Sequence, residues 1–175
     1  MTKPLRIFLT LVLLSVASAA KANTLYYIVD NIRYAVNTDN STATVVRNYG
    51  YEDMTEITIP ASITVDGTTY TVDQIGDHCF SYCSSLTSIT IPNSVTQLGD
   101  YCFSECTSLT SVNINFVAKL GDYCFSGCSS LTSVTIPSSV TELVAGCFSD
   151  CTSLTSVTIP NSVTQLVEAC FASCI

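Results

Sequence analysis

All ten cysteines of this 175-residue chain fall in five C-F-x-x-C units: Cys79/Cys83, Cys102/Cys106, Cys124/Cys128, Cys147/Cys151 and Cys170/Cys174. If the units stack, they form two columns, and three chemistries are open to such thiols. They can stay reduced as small apolar core side chains, since Cys is among the most buried residue types. They can form disulfides, although parallel Cβ vectors between stacked units and an i, i+4 pair within one unit are both awkward to bridge. They can bind zinc, whose C-x₂₋₄-C spacing includes C-x₃-C, but an intervening Phe and strict repetition argue for core. His78, the single histidine, adjoins Cys79, yet neighbouring side chains in a strand or turn point apart, and a catalytic dyad needs convergent geometry. Asp77, Asp100 and Asp122 recur at one position, as an acidic strip that either solvates a turn or holds Ca²⁺. The serines stand in no G-x-S-x-G, and the chain has no phosphate loop, H-E-x-x-H or EF-hand pattern. No catalytic, cofactor-binding or metal-ligating residue is assigned, so the chain reads as a non-enzyme without a cofactor.

The segments that position these residues are organised by a leader and a repeat. Lys3 and Arg6 precede the apolar run Ile7–Val16, and Ala20-Lys21-Ala22 offers a cleavage point after Ala22. That is the form of a signal peptide, residues 1–22, too short in its apolar part to span a bilayer. Removing Lys3, Arg6 and Lys21 but no acidic residue leaves three basic against 14 acidic residues, a net charge of −11. An acidic surface excludes nucleic acid and anionic membranes as electrostatic partners, and nothing predicts membrane insertion after cleavage. The expected location is secreted or cell surface.

From Leu86 onward the chain repeats in segments of 23, 22, 23 and 22 residues, starting at Leu86, Leu109, Leu131 and Leu154. A degenerate first copy begins at Met54 and carries an insert over residues 65–72. In each copy L-x-x-I-x-I alternates as a short strand, Pro92, Pro137 and Pro160 end it, and S-V-T-x-L supplies further inward residues. The spacing of Cys, Phe and Cys at i, i+1 and i+4 is compatible with one helical or 3₁₀ turn. No copy can bury its own apolar face, so five copies must stack with their strands in one parallel sheet. Residues 23–72 read as an N-terminal β-rich cap, overlapping the first degenerate strand at 54–63. A hairpin is expected at Asp30-Asn31, a strand near Thr44–Val46 and a type I′ turn at Asp66-Gly67. Residues 73–175 read as the repeats, truncated at the C-terminus and expected to continue in a longer protein.

The pattern L-x-x-I-x-IP-x-SV-T-x-[IL]-G-D-x-[AC]-F-x-x-C resembles the BspA-type (Treponema pallidum-type) leucine-rich repeat over about Met54–Ile175. IP-x-SV and F-x-x-C occur together in the copies containing Ile91, Ile136 and Ile159. The resemblance implies a leucine-rich-repeat solenoid, α/β in class, with short parallel strands, 3₁₀ or helical turns and loops. It also implies a bacterial cell-surface or secreted protein, several such proteins being adhesins for host proteins or other microbes. Three departures stand out. Cys replaces the usual Ala before Phe, the third copy has Asn115-Phe116-Val117 in place of IP-x-S with one residue fewer, and Gly99 and Gly121 give way to Val144 and Val167.

Side chains alternate across a strand, so Ser88, Thr90, Ser111, Asn113, Ser133, Thr135, Ser156 and Thr158 line the outward, concave sheet face. That small, polar face is the candidate binding surface for an extracellular host or microbial protein or glycan. It lacks the Tyr, Trp and Arg anchors of a hot spot. Two alternatives to an adhesin-like module remain: a structural spacer, and the targeting module of a larger enzyme whose catalytic domain lies beyond Ile175.

Overall fold

Asp30 and Asn31 adopt φ of 48° and 65°, and Asp66 and Gly67 adopt 50° and 78°. Two consecutive positive φ values are what a two-residue type I′ hairpin requires, and each pair closes one. A computed structural model of the chain describes residues 24–174; the leader, with its cleavage point after Ala22, and Ile175 lie outside the described residues. The first hairpin joins β1 (Thr24–Val29) to β2 (Ile32–Asn37), and the second joins β5 (Ser62–Val65) to β6 (Thr68–Ile75). With β3 (Thr42–Val45) they form a sheet in the order β1-β2-β3-β6-β5. β2 buries Ile32, Tyr34 and Val36, which is strict alternation against one apolar face. β3 runs parallel to β6, and a register shift leaves Asp73 as one extra residue, a bulge that keeps both Val72 and Ile75 buried.

β6 carries this sheet into the repeats, because Gln74-Ile75 pairs in parallel with β8 (Gln97–Leu98) and Gln97 bridges to Lys119. Later in the same row, β10 (Glu142–Leu143) pairs with β12 (Gln165–Leu166). A second row holds the L-x-x-I-x-I strands. β4 (Glu56–Thr58) pairs with β7 (Ser88–Thr90), and β9 (Ser133–Thr135) with β11 (Ser156–Thr158), all parallel. The result is a β-solenoid of the leucine-rich-repeat kind. One contiguous core runs through it from Ile32 in the cap to Cys170 in the last repeat.

Two expectations need correction. The outward row is not one five-stranded sheet: Ser111–Asn113 forms no strand, so the row is two separate pairs with a seam between them. The third copy is a residue short, and Asn113 Oδ1 accepts the N–H of Asn115 at 3.1 Å. Such a local Asx turn competes with ladder bonding. Nor is the C-F-x-x-C segment one helical turn. It is two successive tight turns, with positive φ at the residue before each Cys: His78, Tyr101, Tyr123, Gly146 and Ala169, then Tyr82, Glu105, Gly127, Asp150 and Ser173. Among the described residues the one 3₁₀ helix is Tyr51–Asp53 in the cap.

These turns form a third, unbroken corner. The N–H groups of 78, 80 and 82 donate to the carbonyls of 100, 102 and 104 at 2.8 Å, and the same three-bond pattern recurs at each later interface. Inside the corner the rings of Phe80, Phe103, Phe125, Phe148 and Phe171 stack at 5.3–5.6 Å. Tyr51 caps that column, 5.0 Å from Phe80, while its hydroxyl accepts the Arg33 N–H and donates to the Val46 carbonyl. At the last repeat Ile159, Leu166 and Val167 are exposed, whereas their predecessors Ile136 and Leu143 are buried under a following turn.

Candidate functional site

The eight outward residues are all exposed, but they do not form one strip. Ser88, Thr90, Ser133, Thr135, Ser156 and Thr158 stand on paired strands, while Ser111 and Asn113 lie in the seam. The other recurrent Ser and Thr residues have structural work. Thr87 and Thr155 donate through Oγ1 to Thr55 and Thr132 carbonyls, and Ser94 and Ser162 through Oγ to Ala61 and Val140, each reaching back one repeat. The polar composition therefore serves the stacking as well as the surface.

The two cysteine columns are distinct. Cys79, Cys102, Cys124, Cys147 and Cys170 are buried against the core, and all ten cysteines carry free thiols. In the second column Cys106, Cys128, Cys151 and Cys174 each donate Sγ–H to a Phe carbonyl one repeat earlier, at 3.1–3.2 Å. Cys83 opens this column. Burial pushes the thiols of Cys83, Cys102 and Cys170 up to about 11 and that of Cys151 to about 12. A thiol kept neutral is a poor nucleophile, and this environment is the reverse of an activated cysteine.

The acidic strip has a backbone role. Asp77 Oδ1 accepts the N–H of Asp100 at 3.0 Å, Asp100 Oδ1 that of Asp122 at 2.9 Å, and Asp122 Oδ1 that of Ala145 at 3.2 Å. The preceding glycine belongs to the same device. A Cβ on Gly99 would collide with Gly76 and Asp77, and one on Gly121 with Gly99 and Asp100. Where Val144 and Val167 replace Gly, the Asp is gone too. Among the described residues no group of His, Cys, Asp and Glu is placed to hold a metal ion.

His78 does not meet Cys79. Its ring stacks on Tyr101 at 4.9 Å, and Tyr101 stacks on Tyr123 at 5.0 Å, on the outside of the corner. The ladder ends at Gly146, where the Tyr123 ring occupies the space a side chain would need. Two further features were not foreseen. Arg47 donates to the carbonyls of His78 and Ser81, both at 3.1 Å, and pairs with Glu52 at 3.3 Å, clamping the cap to the first corner. Phe116, in the irregular third copy, is 53% exposed. The signal for Phe116 was in the sequence, as the one copy with an aromatic where the others have a small polar residue.

Among the described residues no helix is long and apolar enough to cross a membrane. Residues 45–175 match the model of the BspA type leucine rich repeat region in six copies. The sixth copy begins at Val45 in the cap, where Thr44-Val45 pairs with Gln74-Ile75 and Tyr51 takes the place of a corner Phe. No curated protein matches the chain. Among solved structures, a leucine rich cell surface protein from Faecalibacterium prausnitzii is 36% identical, with a TM-score of 0.67 over 85% of this chain and 46% of that one. The chain thus spans about half the length of that relative. The T. pallidum leucine rich repeat protein is 22% identical, with a TM-score of 0.55 over 82% of this chain and 88% of that one. The pneumococcal vaccine antigen PcpA is 23% identical, with a TM-score of 0.63 over 82% of this chain and 40% of that one. These last two show the shared fold.

Proposed function

This chain belongs to the BspA-type leucine-rich-repeat family, and on that premise we propose that it is an exported, surface-associated binding module without catalytic activity. Its proposed ligand is an extracellular protein or glycan of a host or of another microbe, held on the outward strand row. One observation carries the reading most: the outward positions on β4, β7, β9 and β11 are exposed and free of apolar bulk, as a face that is not needed for stacking. The cell-surface description of the 36% identical relative supports the address, and the charge of −8 supports an extracellular, non-nucleic-acid partner. The protein is tested by saturable binding to immobilised host matrix proteins, with Thr90, Thr135 and Thr158 each changed to Lys. These side chains are exposed, so the fold is expected to survive while binding drops. Binding unchanged in the triple variant would move the site off this face.

A further inference from the structure

We infer that the seam at the third repeat is a binding site for a neutral saccharide; this rests on the binding-module reading and narrows it to one place and one ligand class. Everywhere else on the outward row the strand backbones pair with a neighbour. Ser111, Val112 and Asn113 make no backbone hydrogen bond within the chain, and the residues Ser111 and Asn113 are exposed. Beside them is a shallow depression lined by Pro92, Asn93, Asn113, Ile114, Asn115 and Phe116, among others, with no charged residue in its lining. No hydrogen bond within the chain engages the side-chain amides of Asn93 or Asn115. The half-exposed Phe116 belongs to the same lining.

The chemistry of this lining selects the ligand. The side-chain amides of Asn93 and Asn115 supply donors and acceptors side by side, and a sugar hydroxyl is both at once. The negative face of an aromatic ring receives the positively polarised C–H groups of a pyranose, while its apolar area is removed from water. An anionic or cationic ligand would find no partner here, so a charged polysaccharide or peptide is disfavoured. An extended peptide is disfavoured on steric grounds too. β7 and β9 are two repeats apart, about 10 Å, and Ser111–Asn113 already lies between them, which leaves no lane for an added strand. The site also explains an oddity of the sequence: the one copy that gives up its strand is the one that gains an exposed aromatic and two asparagines at 113 and 115.

The test titrates the chain with neutral oligosaccharides, cellohexaose, chitohexaose, maltohexaose and mannohexaose, at up to millimolar concentration, by calorimetry and by chemical-shift change. Three variants accompany the wild type: Phe116→Ala, Thr158→Lys, and a repaired copy in which Asn113–Val117 is replaced by Thr-Ile-Pro-Asn-Ser-Val. The repaired copy restores the sequence of its neighbour, so it is expected to fold at least as well as the wild type. At least one hexaose is expected to bind saturably, about tenfold more weakly to Phe116→Ala, not at all to the repaired chain, and normally to Thr158→Lys. Binding lost in Thr158→Lys but kept in the other two would overturn the seam and leave the binding-module reading standing. Failure of every hexaose while matrix-protein binding persists would overturn the saccharide. A neutral proline-rich peptide that binds in a Phe116-dependent way, with no hexaose binding, would overturn the ligand class alone.

Discussion

The corner and the outward strand row are built from the same repeats, yet only the corner is continuous. At each interface from the first repeat to the last, the corner makes three backbone bonds, one ring stack and, in the second column, one thiol–carbonyl bond. The strand row has paired strands at either end and none at Ser111–Asn113. The difference lies in what each depends on. The corner rests on C-F-x-x-C, which the five copies from Cys79 onward all retain, and on the backbone bonds each makes to the next. A strand pair depends on register between copies, and one missing residue with a competing Asx turn is enough to cancel it. The corner is therefore expected to contribute more to stability than the strand row, which is free to vary.

The largest test of that contrast is alkaline pH, because all ten thiols sit in the corner. Burial holds the thiols of Cys79, Cys124, Cys128 and Cys147 well above their ordinary value of 9.0. Folded thiols keep protons that unfolded ones release above about pH 9, so stability is full below that pH and falls as pH rises towards the folded values. Each such thiol removes up to about 1.4 kcal/mol per pH unit. Urea midpoints measured under reductant should hold between pH 8 and 9 and fall steeply by pH 10. Without reductant, a flat profile would mean that the thiols are bridged.

Next in size, Phe125→Ala in the middle of the ring column should cost about 3–5 kcal/mol. A loss in urea midpoint well below that range would remove the ring column from what distinguishes the corner. Gly121→Ala should cost about 1–3 kcal/mol, since its Cβ meets the backbone of Gly99 and Asp100 rather than a yielding side chain. Thermal unfolding of that variant reads the effect directly. Finest is the comparison of the two thiol columns. Cys128→Ala loses a bond to the Phe103 carbonyl and should cost about 1 kcal/mol more than Cys124→Ala, whose column takes Ala in the family pattern. Equal losses in denaturant midpoints would show that the thiol–carbonyl bonds contribute nothing.

The stacking was legible because apolar residues at Leu86, Leu109, Leu131 and Leu154 recur with one period, and only stacking can bury them. Asp66-Gly67 and Asp30-Asn31 announced their hairpins through residues that tolerate positive φ. The corner was not legible, since Cys, Phe and Cys at i, i+1 and i+4 look the same for a helical turn as for two tight turns. Deciding between them takes bonds from the next repeat, which local spacing does not contain. The bond from Asp77 to the Asp100 N–H is equally non-local, so a structural acceptor read as a choice between solvation and Ca²⁺. Alternation along the strands gave the outward Ser and Thr positions, which are exposed, but the loss of one residue in the third copy was visible without its consequence, the seam.

The backbone bonds of the corner all point along the solenoid axis, from one repeat to the next. A pull applied to the two ends of the chain therefore meets them one interface at a time, like teeth of a zip. Each yielding repeat frees 22 or 23 residues, or about 75–80 Å of extended chain. Under tension the molecule would lengthen in steps of nearly one size, from its terminal repeats inwards, and the unbroken corner would hold the seam until its turn came.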